Sequence, residues 1–328
     1  MRRRDFLALS GASAVAWPLA SRAQQRTLRK RVTWIHNLPE TDPDAPALFA
    51  AFGDGLMQQG WITGDSVDID ARWSIDTVAL AEKILPDVVA TRPEVICVNG
   101  DRALPFVRAI KDVPIVFAFV NDPLEAGVVD SLTRPGGNAT GYGNLEASIA
   151  GKWLDLLLVL APNTEQAGYL TNPDNPTGAR FYAAFAAAAG RSGVTPRTLI
   201  ARTAGEIVPA LGPLGVTPHS GLVTGNEGFI IANRGPAIAE ATRLRLPSVW
   251  GHTIYASSGA AVSYGIDAID LTRRWGEYAG RVLNGERIAA LPVQSPNKFQ
   301  LILSLKAAKA QGLSLPQSLL ILADQIVE

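Results

Sequence analysis

Short amide and carboxylate side chains follow most of the predicted β-strands of this 328-residue chain, directly after each strand ends. An asparagine side chain offers two donors and an acceptor, and a carboxylate offers only acceptors. Such groups suit a small polar or zwitterionic ligand, whose amine needs acceptors and whose carboxylate needs donors. The candidate ligand-binding residues are Asn37, Asn99, Asp101, Asn121, Asp122, Asn172, Asn175, Asn226, Glu227 and His252, with Tyr264 as a ring that could stack on a flat ligand.

The same residue types have an ordinary structural use. Asparagine, aspartate and glycine are common in turns and at helix N-termini, so any one of these positions is explained as well by a cap as by a ligand contact. The recurrence at six strand ends favours a binding site, because ligands of parallel α/β sheets bind outside the carboxyl ends of the strands.

Catalytic patterns are absent from the sequence. The three histidines, His36, His219 and His252, lack metal-ligand spacing, and neither a G-x-S-x-G elbow nor a G-x-x-x-x-G-K-[ST] phosphate loop occurs. The single cysteine, Cys97, lies in the apolar run EVICVNG and is predicted to be a core residue. We therefore predict a protein that is not an enzyme and that uses no cofactor and no metal.

The elements that must position these residues alternate between strand and helix patterns. Runs such as EVICVNG and PIVFAFVN are apolar throughout, as expected of strands covered on both faces. Helical patterns such as APALFAAFGDGLMQQG separate them, and the alternation begins again near residue 145. The predicted fold class is α/β, with two doubly wound lobes whose mostly parallel sheets are joined by a multi-strand hinge.

The stretch IVFAFVNDPLEAGVVDSLTRPGGNATGYGN, residues 115–144, predicts how one lobe leads into the next. A buried strand is expected to deliver Asn121 and Asp122 to the cleft, and a short helix is expected from Leu124. Crossings between the lobes are predicted near 140–144, 260–265 and 290–298.

These crossings divide the chain into discontinuous lobes, and crossing more than once permits rigid-body closure of one lobe on the other. The predicted parts are a signal peptide at 1–23, a first lobe of 31–141 plus about 264–290, and a second lobe of 142–263 plus about 291–328.

The amino terminus has the three parts of an export signal. Three arginines precede an apolar run from Phe6 to Ala20, and small residues follow, so cleavage is predicted near Ala23. The pattern R-R-x-F-L from Arg3 fits twin-arginine export. The apolar run is shorter than the roughly 20 residues of a membrane span, so a periplasmic location is expected.

The formal net charge is zero, and no basic stripe interleaved with aromatic residues occurs, so nucleic acid is not an expected partner.

The segment D-P-x-x-x-G-V-V-x-S-L-x-R-P-G-G-N-x-T-G, Asp122 through Gly141, the run NPDNP and the tail beginning LNGERIAALPVQSPNKF resemble ABC transporter substrate-binding proteins. The similar group includes tryptophan- and tyrosine-binding members. The resemblance implies a periplasmic-binding fold of the leucine-binding type and a ligand enclosed between two lobes. It also implies delivery to an inner-membrane ABC permease with a separate ATPase. An aromatic amino acid or related aromatic acid is the favoured ligand, and the protein is expected to be a monomer.

Two positions depart from the pattern of the family. Asn99-Gly100-Asp101-Arg102 stands where many relatives have a small or hydroxyl-bearing loop, and Asn121 stands where many have threonine. Because both changes fall in the predicted pocket, the identity of the ligand does not carry over. A periplasmic sensor subunit of a signalling receptor is an alternative function, and an exported α/β hydrolase is a weaker one.

Overall fold

A computed structural model of the protein describes residues 29–175 and 178–328. The signal peptide predicted for residues 1–23 lies outside the described residues. Pro176 lies outside them as well.

The first sheet contains five parallel strands in the order β2-β1-β3-β4-β5. β3 and β4 are buried along their whole length, which confirms the expectation from their apolar sequences. A 3-10 turn, Gly100–Arg102, follows β3. The elements of this part are β1 (Lys30–Ile35), α1 (Ala45–Gln58), β2 (Val67–Arg72), α2 (Val78–Ala90), β3 (Val95–Asn99), α3 (Ala103–Ala109), β4 (Ile115–Val120) and β5 (Ala139–Gly143).

The second sheet contains seven strands in the order β12-β11-β10-β9-β8-β6-β7. All neighbours are parallel except β10 and β11. Its elements are α4 (Ile149–Leu160), β6 (Gln166–Thr171), α5 (Gly178–Arg191), β7 (Thr195–Ile200), α6 (Ala204–Gly215), β8 (Ser220–Thr224), α7 (Gly228–Ala232), α8 (Arg234–Arg243), β9 (Ser248–Trp250), α9 (Ile254–Ser257), β10 (Val262–Ile266), β11 (Phe299–Ser304), α11 (Leu305–Gln311), α12 (Gln317–Leu322) and β12 (Gln325–Val327).

A late helix, α10 (Ala268–Leu283), returns to the first sheet. The indole N–H of Trp275 donates to the Val116 carbonyl oxygen of β4 at 2.8 Å. The helix also crosses α1 at two glycines, Gly55 and Gly276, where the backbones touch. A Cβ at Gly55 would overlap the Arg273 carbonyl oxygen, so this crossing requires glycine.

Replacement of Gly55 by alanine is therefore expected to destabilise the protein by about 2 kcal/mol or more, because the added methyl group meets backbone rather than a movable side chain. Gly53 lies in the same helix, and a Cβ added there would make only an ordinary van der Waals contact, 3.7 Å from Thr63 Oγ1. Gly53→Ala is therefore the matched control. The control should be neutral or stabilising by about 0.5–1 kcal/mol, since alanine favours helix. Urea unfolding of both variants measures the difference, and equal stabilities would contradict the crossing.

The chain passes between the two sheets at three places. It leaves the first sheet after β5, returns between β10 and α10, and reaches the second sheet again before β11. On the last passage Gln294 pairs with β5, since its N–H donates to the Gly141 carbonyl oxygen at 3.0 Å and its carbonyl oxygen accepts from the Gly143 N–H at 2.8 Å.

One crossing differs in position from the prediction. Residues 260–265 were expected to lead back to the first lobe, but Val262–Ile266 forms β10 inside the second sheet, paired with β9 and β11. The return follows Ile266, and α10 carries the first-lobe contacts. The grouping of these pieces into two mobile lobes stays a prediction.

One local expectation also differs from the structure. The helix expected from Leu124 is a single turn that ends at Gly127, whose φ of 70° closes it.

Candidate ligand-binding site

Each sheet contains one point at which the connections that follow two adjacent strands lead away in opposite directions. In the first sheet this switch point lies between β1 and β3, and in the second it lies between β6 and β8. Loops at such points diverge and leave a crevice, which is where doubly wound folds bind ligands. The two crevices face each other across one cavity of about 440 Å³, lined from both sheets.

Nine of the eleven candidate residues line this cavity, and all nine follow the strand ends from which they were predicted. They are Asn37, Asn99, Asp101, Asn121, Asn172, Asn175, Asn226, Glu227 and His252.

The other two candidates lie outside the lining. Asp122 is exposed at the rim and forms an ion pair with Arg180 of α5, at 3.2 Å, across the gap between the sheets. Arg180 also contacts Glu125. The Tyr264 ring stacks on Phe299 of the neighbouring strand β11, with ring centroids 6.2 Å apart, and does not reach the cavity.

Several lining residues were not among the candidates. Phe119 enters the cavity because a bulge in β4 shifts the register between Phe117 and Val120, and Phe119 has a φ of 59°. Arg102 and Asn144 add polar groups. The apolar part of the wall consists of Leu38, Leu48, Val78, Phe119, Phe229, Ile231, Ile254 and Ala268.

One corner of the cavity is rich in acceptors. The Asp101 carboxylate accepts from the Asn121 backbone N–H at 3.3 Å and from its side-chain amide. The buried Oδ1 atoms of Asn121 and Asn144 have no hydrogen-bond partner. Burial raises the pKa of Asp101. Buried acceptors without donors are costly, so this corner suits a ligand that brings N–H groups.

The opposite wall, from the second sheet, is built around Glu227. Its carboxylate accepts from the Thr171 hydroxyl and from the Asn172 N–H at 2.9 Å, and burial raises its pKa despite these bonds. The neighbouring Asn226 has a buried side-chain Nδ2 without an acceptor. The Glu227 carboxylate is thus hydrogen-bonded within its own sheet, whereas the Asn226 amide has a buried N–H donor without a partner.

Two buried imidazoles, His36 and His252, line the cavity. Each accepts a hydrogen bond from the backbone N–H of the residue two positions later in the sequence. His36 Nδ1 accepts from the Leu38 N–H at 3.2 Å, and His252 Nδ1 accepts from the Ile254 N–H at 3.1 Å. Burial lowers the pKa of His36 to about 3 and that of His252 to about 4, and nearby arginines add to the effect. Both rings are therefore neutral at pH 7.

These depressed pKa values predict a loss of stability in mild acid. An unfolded chain takes up protons on histidine as the pH falls below about 6.5, whereas the folded chain does not until about pH 4 for His252 and about pH 3 for His36. At pH 5 each ring should lower the free energy of unfolding by about 2 kcal/mol relative to pH 7.

Urea unfolding at pH 7 and pH 5 measures this cost, and His252→Asn should show a smaller difference between the two pH values than the unmodified protein. Asp101 and Glu227, with raised pKa values, act in the opposite direction. The comparison with the variant isolates the histidine. An identical pH difference in the variant would contradict the neutral ring.

A buried ion pair joins the two sides next to the cavity. Arg234, at the start of α8, donates through Nη2 to Asp42 at 2.7 Å and to Asp44 at 3.3 Å. Asp42 and Asp44 lie between β1 and α1, on the first side. The Ser257 hydroxyl also donates to Asp44, at 2.7 Å. We name Asp42, Asp44, Arg234 and Ser257 the interlobe latch.

Within residues 29–175 and 178–328, no group of three or more histidine, cysteine, aspartate or glutamate side chains is placed to bind a metal ion. The helices in these ranges also include none with the length and apolar character that a membrane crossing requires.

Comparison with known proteins gives relatives of this architecture. A curated tyrosine-binding protein of Clostridioides difficile (strain R20291) is 26% identical over 267 residues, which cover 80% of this chain and 76% of that protein. A Vibrio cholerae conserved domain protein superposes with a TM-score of 0.82 at 23% identity, covering 90% and 99% of the two chains. The ABC domain of Streptococcus pneumonia in complex with L-Trp superposes with a TM-score of 0.81 at 23% identity, covering 91% and 100%.

The predicted α/β fold of the type I periplasmic-binding class is thus confirmed. The family model described as "ABC transporter substrate binding protein" matches residues 43–327. Proteins of this family bind substrates and are not enzymes, which agrees with the expectation from the sequence. This chain belongs to the ABC transporter substrate-binding protein family.

Proposed function

We propose that this protein is the periplasmic solute-binding component of an ABC importer and that it captures an amino acid with an aromatic side chain. The observation that carries the proposal is the cavity between the two strand-end sets, with unpartnered polar atoms on both sides: Asn121 Oδ1, Asn144 Oδ1 and Asn226 Nδ2. Its volume of about 440 Å³ falls within the range of small-molecule sites.

The polar groups favour a zwitterion. An ammonium group would be bound by the acceptor-rich corner of Asp101, Asn121 and Asn144, which supplies three oxygen acceptors and a negative charge. The apolar wall, with the rings of Phe119 and Phe229, would take the side chain. The L-Trp of the pneumococcal complex and the tyrosine named for the clostridial relative support an aromatic side chain.

Capture would occur by closure of the lobes. Asp42 and Arg234 of the latch are buried, so this pair would exchange water for each other only when the two sides meet. A ligand that contacts both walls favours that arrangement through its higher affinity for it. Moving the population from 1:99 to 99:1 takes about 5.5 kcal/mol of differential binding, which several desolvated hydrogen bonds and one buried ring can supply.

Export and transport complete the proposal. The signal at residues 1–23 would direct the chain to the periplasm, and the closed form would deliver ligand to an inner-membrane permease powered by a separate ATPase. A genomic neighbourhood with a permease and an ATPase supports transport, whereas a histidine kinase there would favour the sensor alternative.

The test uses the mature protein, from which residues 1–23 have been removed. We expect L-tryptophan or L-tyrosine to raise its melting temperature, to bind with one site in calorimetry, and to reduce its radius of gyration in small-angle scattering. Binding without compaction would contradict closure. No binding of either amino acid at millimolar concentration would contradict the proposed ligand.

A further inference from the structure

Arg102 lies in the 3-10 turn that follows β3, and the structure fixes its side chain. The guanidinium folds back on the end of β3, with Nε donating to the Asn99 carbonyl oxygen at 2.7 Å and Nη2 donating to Asn99 Oδ1 at 2.6 Å. Gly100 has a φ of 67°, and a Cβ there would overlap Arg102 Nη2, so glycine makes room for this conformation. Arg102 is therefore held rigidly at the cavity wall.

The charge on Arg102 has no partner within the described part of the chain. Its side chain is buried, and no carboxylate oxygen lies at ion-pairing distance; Asp101 and Asp76 act on it only from farther away. The other buried arginine at this interface, Arg234, is paired with two aspartates. A buried cation without a paired anion costs stability, so the protein tolerates this one for another reason.

The remaining donors of Arg102 are placed to meet a ligand. A guanidinium has five N–H groups. Two are used by Asn99, and a third reaches the Asp76 carbonyl oxygen only at 3.4 Å. Arg102 lines the cavity, and its Nη1 lies so near the opposite wall that a Cβ on Gly228 would be 3.1 Å away. An anion bound to Arg102 Nη1 would therefore lie next to both walls of the cavity.

We propose that Arg102 binds a carboxylate group of the ligand and that this contact makes the site selective for acids over their decarboxylated or neutral analogues. The planar guanidinium matches a carboxylate with two parallel hydrogen bonds. Asn226 Nδ2, also unpartnered in the cavity, supplies a further donor from the second wall. The inference rests on the proposed function, because it assumes a small ligand in this cavity.

The test measures two ligand classes on two variants. In calorimetry, Arg102→Gln should bind L-tryptophan roughly 100-fold more weakly than the unmodified protein, the size expected for lost hydrogen bonds to a charged group. Its affinity for tryptamine, which lacks the carboxylate, should not change. Arg102→Lys keeps the positive charge but loses the planar pair of N–H donors. Its affinity for L-tryptophan should lie between that of the unmodified protein and that of Arg102→Gln.

Arg108→Gln is the matched control, because it removes the same charge from an exposed position in α3. Arg102→Gln without ligand should melt at the same temperature or higher, since it removes an unpaired buried charge. A variant that binds L-tryptophan as tightly as the unmodified protein, or that loses both ligands equally, would overturn the inference.

Failure of the proposed ligand is distinguishable from failure of this inference. If no aromatic amino acid binds the unmodified protein, carboxylic acids without an amine are screened against their primary amides. Binding of an acid that requires Arg102 would support the inference while the proposed ligand fails. A tight ligand without any carboxylate would overturn it.

Discussion

Replacement of Asp42 by alanine is expected to weaken ligand binding roughly 100-fold, because the longer ion pair with Asp44 is then the one carboxylate contact that remains to the buried Arg234 guanidinium in the described structure. Under the proposed closure, this penalty would apply to the closed arrangement alone. With the lobes apart, both side chains of the pair would be in water, where the loss of a partner costs little. The variant should therefore fold normally and remain open at ligand concentrations that close the unmodified protein.

Small-angle scattering measures closure and calorimetry measures ligand affinity, and both are applied to the same sample. Asp122→Ala is the control, because Asp122 also pairs across the gap, with Arg180, but in an exposed position where side chains remain about 40% accessible. An exposed pair contributes about 0–1 kcal/mol, so this variant should lose no more than about 5-fold in affinity. Equal losses in both variants would contradict a role for burial, and compaction of the Asp42 variant at unchanged ligand concentration would contradict the latch.

Replacement of Asp101 by asparagine should have the second large effect, a loss of roughly 10- to 100-fold in affinity for an amino acid. The substitution keeps the shape of the side chain and removes the negative charge next to the proposed ammonium position. A ligand without an amine, such as indole-3-propionate, should be unaffected or bind more tightly. Together with Arg102→Gln, the variant assigns each end of a zwitterion to its own residue.

The pH dependence supplies a second readout for Asp101. Because burial raises its pKa, affinity for an amine should fall, as the pH is lowered, at a higher pH than the ordinary value of about 3.9 implies. The Asp101→Asn variant should not show this fall in affinity with decreasing pH, while any contribution of Glu227, His36 or His252 to the pH dependence of affinity remains. The ligand-free variant should also be more stable at pH 7, since a raised acid pKa opposes folding once the pH exceeds it. Parallel curves in the two proteins would contradict the assignment.

The strand ends could be predicted from the sequence because their signals are local. Apolar runs that stop at or just before Asn99, Asn121 or Asn226 identify the strand and locate its end to within two residues, and parallel topology brings such ends to one edge. Tyr264 differs from the other candidates because it lies in the middle of β10, not after the end of a strand. Its ring stacks on Phe299 of the neighbouring strand, and this contact across the sheet has no signal in the local sequence.

The remaining parts of the site depend on contacts between distant segments. Phe119 points into the cavity because of the bulge in β4, next to Gly141, where a Cβ would overlap the Phe117 backbone. The Asp42–Arg234 pair joins residues 192 positions apart. Arginines such as Arg102 and Arg234 are usually exposed, so their burial is a property of the assembled fold and has no local signature.

The return of α10 to the first sheet means that neither half of the molecule is a continuous stretch of polypeptide. A single protease nick at either of the first two passages would leave two fragments that still contact each other through Trp275 and the α1–α10 crossing. Expressing the gene as two pieces divided at residue 144 would separate the first sheet from the helix that covers it. We therefore expect that neither half can be expressed alone as a continuous, autonomously folding segment.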